Sequence, residues 1–199
     1  SVAYIGNSGA VPNPITLNGW LGVNLHTYNG GYLNTGGNGL TGSFYVEDSS
    51  LFAIVGNNPH TSGLNLGKGR LQLGYGGNYT PCGGDMVVNA GNLELAAQAA
   101  NGKTIAGNLY VNSGNVHYQF NNQMGDTAFV YARGGTINLG AKSDTVGGLE
   151  LSSGSVISNG TLTSASTYDV RKGSVSAVLA GSVGLTKSTA DTVTLSGTH

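Results

Sequence analysis

Short strands of alternating apolar and polar residues recur along this chain at a nearly constant interval. In Leu109-Tyr110-Val111-Asn112-Ser113-Gly114-Asn115-Val116-His117-Tyr118, Leu109 and Val111 share one face of a strand, Val116 and Tyr118 share one face of the next, and Gly114 stands at the bend. The same order recurs in Val87-Val88-Asn89-Ala90-Gly91-Asn92-Leu93-Glu94-Leu95 and in Leu149-Glu150-Leu151-Ser152-Ser153-Gly154-Ser155-Val156. Eight units start at Thr27, Val46, Leu66, Val88, Val111, Tyr131, Leu151 and Val170, in steps of 19, 20, 22, 23, 20, 20 and 19 residues. Three positions after each start comes Gly30, Ser49, Gly69, Gly91, Gly114, Gly134, Gly154 or Gly173, and five after comes Tyr32, Leu51, Leu71, Leu93, Val116, Thr136, Val156 or Val175. A repeat this short cannot enclose a core alone, so neighbouring coils must stack and share one. The pattern predicts an all-β chain folded as a parallel β-helix, or β-solenoid, with coils of about 20 residues and the glycines aligned along one corner.

Two stretches depart from the rhythm. Glu94 to Ala100 is the one window with helical propensity, and it falls in the longest step, which marks it as an insertion rather than a full helix. Before Thr27, Pro12 and Pro14 lack amide donors and argue against a central strand. The reading is therefore a cap, arm or partial coil over residues 1–24, with Trp20 and Leu21 covering the first layer, and a solenoid of about eight to nine coils over 25–199. Val183, Leu185, Val193 and Leu195 extend the pattern toward His199 without an evident cap.

Composition fits such a body. Of 199 residues, 35 are Gly and only 9% are charged, giving a formal net charge of -1. Recognition of nucleic acid or of an anionic membrane through a basic face is not expected from so few scattered charges. No apolar run is long enough for a membrane span, and the chain does not open with a basic and then hydrophobic signal segment. Cys82 is the single cysteine, so disulfides do not hold the fold together.

Candidate chemistry is sparse. Gly37-Asn38-Gly39-Leu40-Thr41-Gly42 has the spacing of a dinucleotide loop, but Ser43-Phe44-Tyr45-Val46 reads as strand where that loop needs a helix N-terminus. Gly6-Asn7-Ser8-Gly9 has no base tied to its serine and reads as a turn. His26, His60, His117 and His199 share no metal-ligand spacing with one another or with Cys82. Gly83-Gly84-Asp85 is an unrepeated fragment of a calcium-binding pattern. The ionic candidates for a polysaccharide-cleaving site, Asp126, Arg133, Asp144, Glu150 and Asp169, do not recur at one register and read as solvated surface. No catalytic residue, cofactor site or metal site is therefore assigned. Tyr28, Tyr32, Tyr45, Tyr75, Tyr79, Tyr110, Tyr118 and Tyr131, with Phe44, Phe52, Phe120 and Phe129, either pack as inward or stacked rings or stand exposed to sugars or to a neighbouring rod. Asn89 and Asn112, and Asn92 and Asn115, occupy matching places and are placed to form amide ladders.

Gly134-Gly135-Thr136-Ile137-Asn138-Leu139-Gly140, Thr145 to Val156 and Gly160-Thr161-Leu162 resemble the autotransporter-associated β-strand repeats, also described as passenger-associated transport repeats. Gly184-Leu185-Thr186-Lys187-Ser188 and Thr192 to Gly197 look like that family's most characteristic block, with Thr189 and Asp191 where the family usually has Gly. The resemblance covers about residues 128–197, weakens through the coils of Leu71 and Val88, and is negligible before residue 60. It implies a right-handed β-helix in a large exported bacterial surface protein, and it implies no reaction. The expectation is an extracellular structural protein, a fibre body or stiff spacer whose partners are copies of itself or adjoining coils. An adhesin that binds surface glycans is the second reading, and a polysaccharide-active enzyme the third.

Overall fold

The computed structural model describes residues 51–56, 63–74, 80–98 and 103–198, together with the strand backbone of Gly9–Ala10, Trp20–Val23, Gly31–Asn34 and Gly42–Val46. Every strand pairing within them is parallel, and the strands stack into the walls of a β-solenoid. The first wall has ten strands: Gly9–Ala10, Gly31–Asn34, Leu51–Val55, Arg70–Leu73, Asn92–Leu95, Asn115–Tyr118, Thr136–Asn138, Ser155–Ser158, Gly173–Val175 and Val193–Leu195. The second has nine: Trp20–Val23, Gly42–Val46, Leu64–Lys68, Met86–Val88, Leu109–Val111, Phe129–Ala132, Gly148–Leu151, Tyr168–Val170 and Leu185–Thr186. A third, of Ser143–Val146, Thr161–Ser164 and Val178–Ala180, occupies what the sequence presents only as a looser polar stretch. At the same place in earlier turns, Cys82, Ile105 and Met124 make single parallel bridges.

Alternation explains which side chains fill the interior. Leu109 and Val111 are buried while Tyr110 between them is half-buried, and Val116 and Tyr118 are buried on either side of half-buried His117. Leu66, Val88, Val111, Ala132, Leu151 and Val170 stand in one inward column, and Leu71, Leu93, Val116, Ile137, Ile157 and Val175 in another. Each Leu, Val or Ile among them contributes about 1.5–3 kcal/mol by leaving water, and it does so only because the rungs above and below supply the walls of its pocket.

The register corrects the sequence frame at several points. Tyr131 is not the equivalent of Val111 and Leu151; Ala132 is, and Tyr131 points outward. Thr136 and Val156 are likewise displaced by one, because Ile137 and Ile157 enter the core. Leu51 is opposite Arg70, so Phe52 rather than Leu51 is the partner of Leu71. Val46 is shifted too, since an irregularity after Phe44 sets Phe44 opposite Leu66 and Tyr45 opposite Lys68. Phe129-Val130-Tyr131-Ala132 is apolar throughout, so hydrophobicity does not choose its inner face.

Glycine does occupy the corner between the second and first walls. Gly69, Gly91 and Gly114 have φ of +80°, +79° and +78°, and a Cβ on Gly114 would lie 2.5 Å from the Gly91 carbonyl oxygen. That oxygen accepts the Asn115 amide at 2.9 Å, so the close approach is the ladder itself. The pairing continues this column through Gly135, Ser155 and Gly173; Gly134 and Gly154, expected in it, sit one residue earlier.

Among the described residues there is no helix. Glu94 and Leu95 end a strand, and Ala96 and Ala97 run on as irregular, buried chain, with the Ala96 amide bonded to Leu73 O at 2.8 Å. Ala99 and Ala100 lie outside the described residues. Of the expected N-terminal cap, the described portions, Gly9–Ala10 and Trp20–Val23, pair with Leu33–Asn34 and Ser43–Val46 of the next turn.

Candidate functional site

The outer surface of the second wall gathers most of the chemistry of the described chain. Outward positions there fall in register as Val87, Tyr110, Tyr131, Glu150 and Asp169, one per rung. Rungs about 4.8 Å apart bring like side chains into contact. The Tyr110 and Tyr131 rings stack at 4.7 Å with an interplanar angle of 6°. Phe129, two residues before Tyr131 on the same strand, lies 6.0 Å from it at 23°. Arg133 lays its guanidinium over Tyr131 at 4.7 Å and over Tyr110 at 5.7 Å.

From Arg133 an ionic chain continues up the wall. Its Nε donates to Glu150 Oε1 at 2.9 Å, and Arg171 Nη2 lies 3.4 Å from Glu150 Oε2. Arg171 also donates to Asp169 Oδ2, from Nε at 2.9 Å and Nη2 at 2.5 Å, while Ser188 donates to Asp169 Oδ1 at 3.2 Å. The Arg171 bonds hold the Asp169 carboxyl below its ordinary range, and the Glu150 bond raises the Arg133 guanidinium further. The expectation that the acids share no register is thus corrected for Glu150 and Asp169, which are direct partners on adjacent rungs. Both are engaged by guanidinium groups. Asp126 pairs separately with Lys103 at 2.7 Å.

Asp144 corrects the surface reading more sharply. It is 2% exposed and takes an inward position in register with Leu162. Its Oδ2 accepts the amides of Gln123 at 3.1 Å and Met124 at 2.9 Å, and its Oδ1 accepts the Thr145 amide at 2.8 Å. Here the third wall begins as a strand, and the carboxylate supplies acceptors to amides of the rung below. Burial pushes its pKa up to about 6 against those bonds, and its nearness, after burial, holds the buried Tyr118 hydroxyl well above its usual value.

The remaining candidates scatter. His117 is half-buried on the first wall opposite Glu94 and Asn138, whereas His26, His60 and His199 lie outside the described residues, as do Ser8, the residues 37–41, Tyr28, Tyr75 and Tyr79. Gly42–Val46 is strand, as a dinucleotide loop would not be. Cys82 is buried and unpaired, its thiol pushed up to about 12 by burial. Asp85 accepts the Asn108 amide at 2.7 Å. Among the described residues no three His, Cys, Asp or Glu side chains gather as a metal site, and no helix is long and apolar enough to cross a membrane. Of the rings, Tyr118 and Tyr168 are buried, and Tyr110 and Tyr131 form the outer stack. Asn112 donates to Asn89 and Asn115 to Asn92, each at 2.9 Å, as expected; Asn89 extends one ladder to Asn65, and Asn159 donates to Asn138. Sequence pattern alone does not point to Arg171 as the bridge between two acids or to Gly148 beneath Phe129. The spacing of 19 residues from Glu150 to Asp169, one coil length, is the signal that finds the first.

Compared with known proteins, the chain matches no family model, no curated protein and no solved structure. What the geometry defines is a parallel β-solenoid; the autotransporter repeat is a resemblance of the segments quoted above.

Proposed function

We propose that this chain is a length of rod in an exported bacterial surface or extracellular-matrix protein, a non-catalytic fibre body or stiff spacer that grows by end-to-end stacking. The observation that carries this reading is the final rung. Leu185 and Leu195 belong to inward columns of the second and first walls, yet they are 44% and 39% exposed because no described strand stacks on them. Leu185–Thr186 and Val193–Leu195 are the last described strands of their sheets, and a parallel edge with an uncovered core is completed by another rung, from adjoining coils of the same polypeptide or from a further copy. A head-to-tail contact of this kind, with residues 1–24 of the next copy as the docking element, propagates as a filament unless its rotation closes a ring. The resemblance over residues 128–197 supports the exported bacterial setting. Two further points support a non-catalytic reading: Glu150 and Asp169 are tied to arginines, and Asp144, whose pKa burial raises to about 6, is sealed inside the solenoid. Negative-stain electron microscopy of the purified chain tests the proposal. Unbranched filaments one solenoid wide are expected; compact particles at all concentrations would contradict end-to-end growth.

A further inference from the structure

We propose that the second wall around Phe129 is a binding site for a neutral saccharide, with the Phe129 ring as platform and Arg133 with Glu150 as the hydrogen-bonding pair. Three large hydrophobic side chains are exposed among the described residues: Phe129, Leu185 and Leu195. The two leucines are uncovered because they lie on the last rung. Phe129, 39% exposed, has rungs on both sides of it, so its exposure belongs to the wall and not to the end.

The ring has a seat. Its partner on the next rung is Gly148, where a Cβ would lie 2.3 Å from Phe129 Cε1 and 2.7 Å from Cδ1. Any other residue there would push the ring off the wall. Asn108 Oδ1 accepts the Phe129 amide at 2.8 Å, and Tyr131 flanks the ring on one side, so the platform is fixed before a ligand arrives. A pyranose presents an apolar C–H face to such a ring and hydroxyls at its rim. Arg133 and Glu150 offer a donor and an acceptor side by side, the guanidinium held by the Tyr131 ring and the carboxylate by Arg171 as well. That pairing suits adjacent hydroxyls of a sugar, which both donate and accept.

Charge and size decide between occupants. Arg133 and Arg171 balance Glu150 and Asp169, so an acidic polymer finds no net attraction. A stable protein interface buries about 800 Å² per partner, whereas one aromatic side chain supplies only about 150–250 Å². A single exposed ring, with the Arg133–Glu150 pair beyond Tyr131 on the same wall, is too small for a second copy and suits a short oligosaccharide that spans from the ring toward that pair. With one platform the affinity is weak, with a Kd of about 1 mM for a short oligosaccharide.

The test is a titration of isotope-labelled protein, followed by amide chemical shifts, with short oligomers of glucose, xylose and mannose, and with oligogalacturonate as the acidic comparison. Shifts centred on Phe129, Tyr131, Arg133 and Gly148 with at least one neutral oligomer are expected. Phe129→Ala, which removes an exposed ring and leaves the core intact, should weaken that binding about tenfold, and Arg133→Gln should weaken it without disturbing the Phe129 platform. Three results would overturn the proposal: no response to any neutral oligomer, a response to oligogalacturonate alone that salt abolishes, or undiminished binding by a folded Phe129→Ala protein. A monomer carries the same wall, so the outcome is separate from that of filament growth.

Discussion

Gly114 and Gly154 have almost the same backbone, with φ of +78° and +79°, but different surroundings. A Cβ at Gly114 would press on the Gly91 carbonyl oxygen at 2.5 Å, whereas at Gly154 nothing lies within 4 Å. A left-handed conformation alone costs a non-glycine residue about 1–2 kcal/mol. Gly154→Ala should therefore lose about that much, and Gly114→Ala clearly more, because the Gly91–Asn115 rung must open to admit the methyl group. Urea denaturation of the two variants checks the order; equal losses would mean that φ, not the stacking, sets the requirement. At this scale much was legible in the sequence, since a glycine that recurs three positions past an inward residue marks a bend that a side chain would strain. The shifts at Tyr131 and Val156 were not, for a physical reason. Tyr131 lies in a wholly apolar strand, and the corner after Leu151 holds one residue more than its neighbours, which moves Ile157 rather than Val156 into the core.

The third wall is the element that sequence pattern concealed. Ser143–Val146, Thr161–Ser164 and Val178–Ala180 carry few large apolar residues, and polar Ser164 and Asp144 occupy inward positions beside Leu162. Ser164 is satisfied by donating to Ser166 O at 2.6 Å, and Asp144 by three backbone amides. The binary pattern fails wherever a buried polar group is locally paired. Asp144 has a consequence for pH. Its folded pKa, about 6, lies above its ordinary value of 3.8, so between those values the folded protein holds more proton than the unfolded chain. Stability should then fall as pH rises from about 4 to 6 and level off above, by at most about 3 kcal/mol. Asp169, whose pKa is lowered, acts in the opposite sense at more acidic pH, losing its contribution as pH falls; on the solvent-facing side of the wall, its ion pair is screened by water and counts for little. Chemical denaturation across this window should show the slope in the native chain and a flatter profile in Asp144→Asn. An unchanged profile would mean that another group carries the titration.

Across the described residues, the walls make a body in which the strands of each turn pair with those of the turns before and after. With a net charge of -1, repulsion between copies is small. Leu185 and Leu195 are the inward side chains that a further rung would cover, each worth about 1.5–3 kcal/mol on burial. The apolar pattern of Val183, Leu185, Val193 and Leu195 was readable in the sequence, whereas the exposure of Leu185 and Leu195 required the stacked rungs. Sedimentation velocity over a concentration series, for the native chain and for Leu185→Lys combined with Leu195→Lys, tests end-to-end stacking most directly. Such stacking predicts a sedimentation coefficient that climbs with concentration for the native chain and stays at the monomer value for the folded variant. A native chain that sediments as a monomer at every concentration, indistinguishable from the variant, would contradict it.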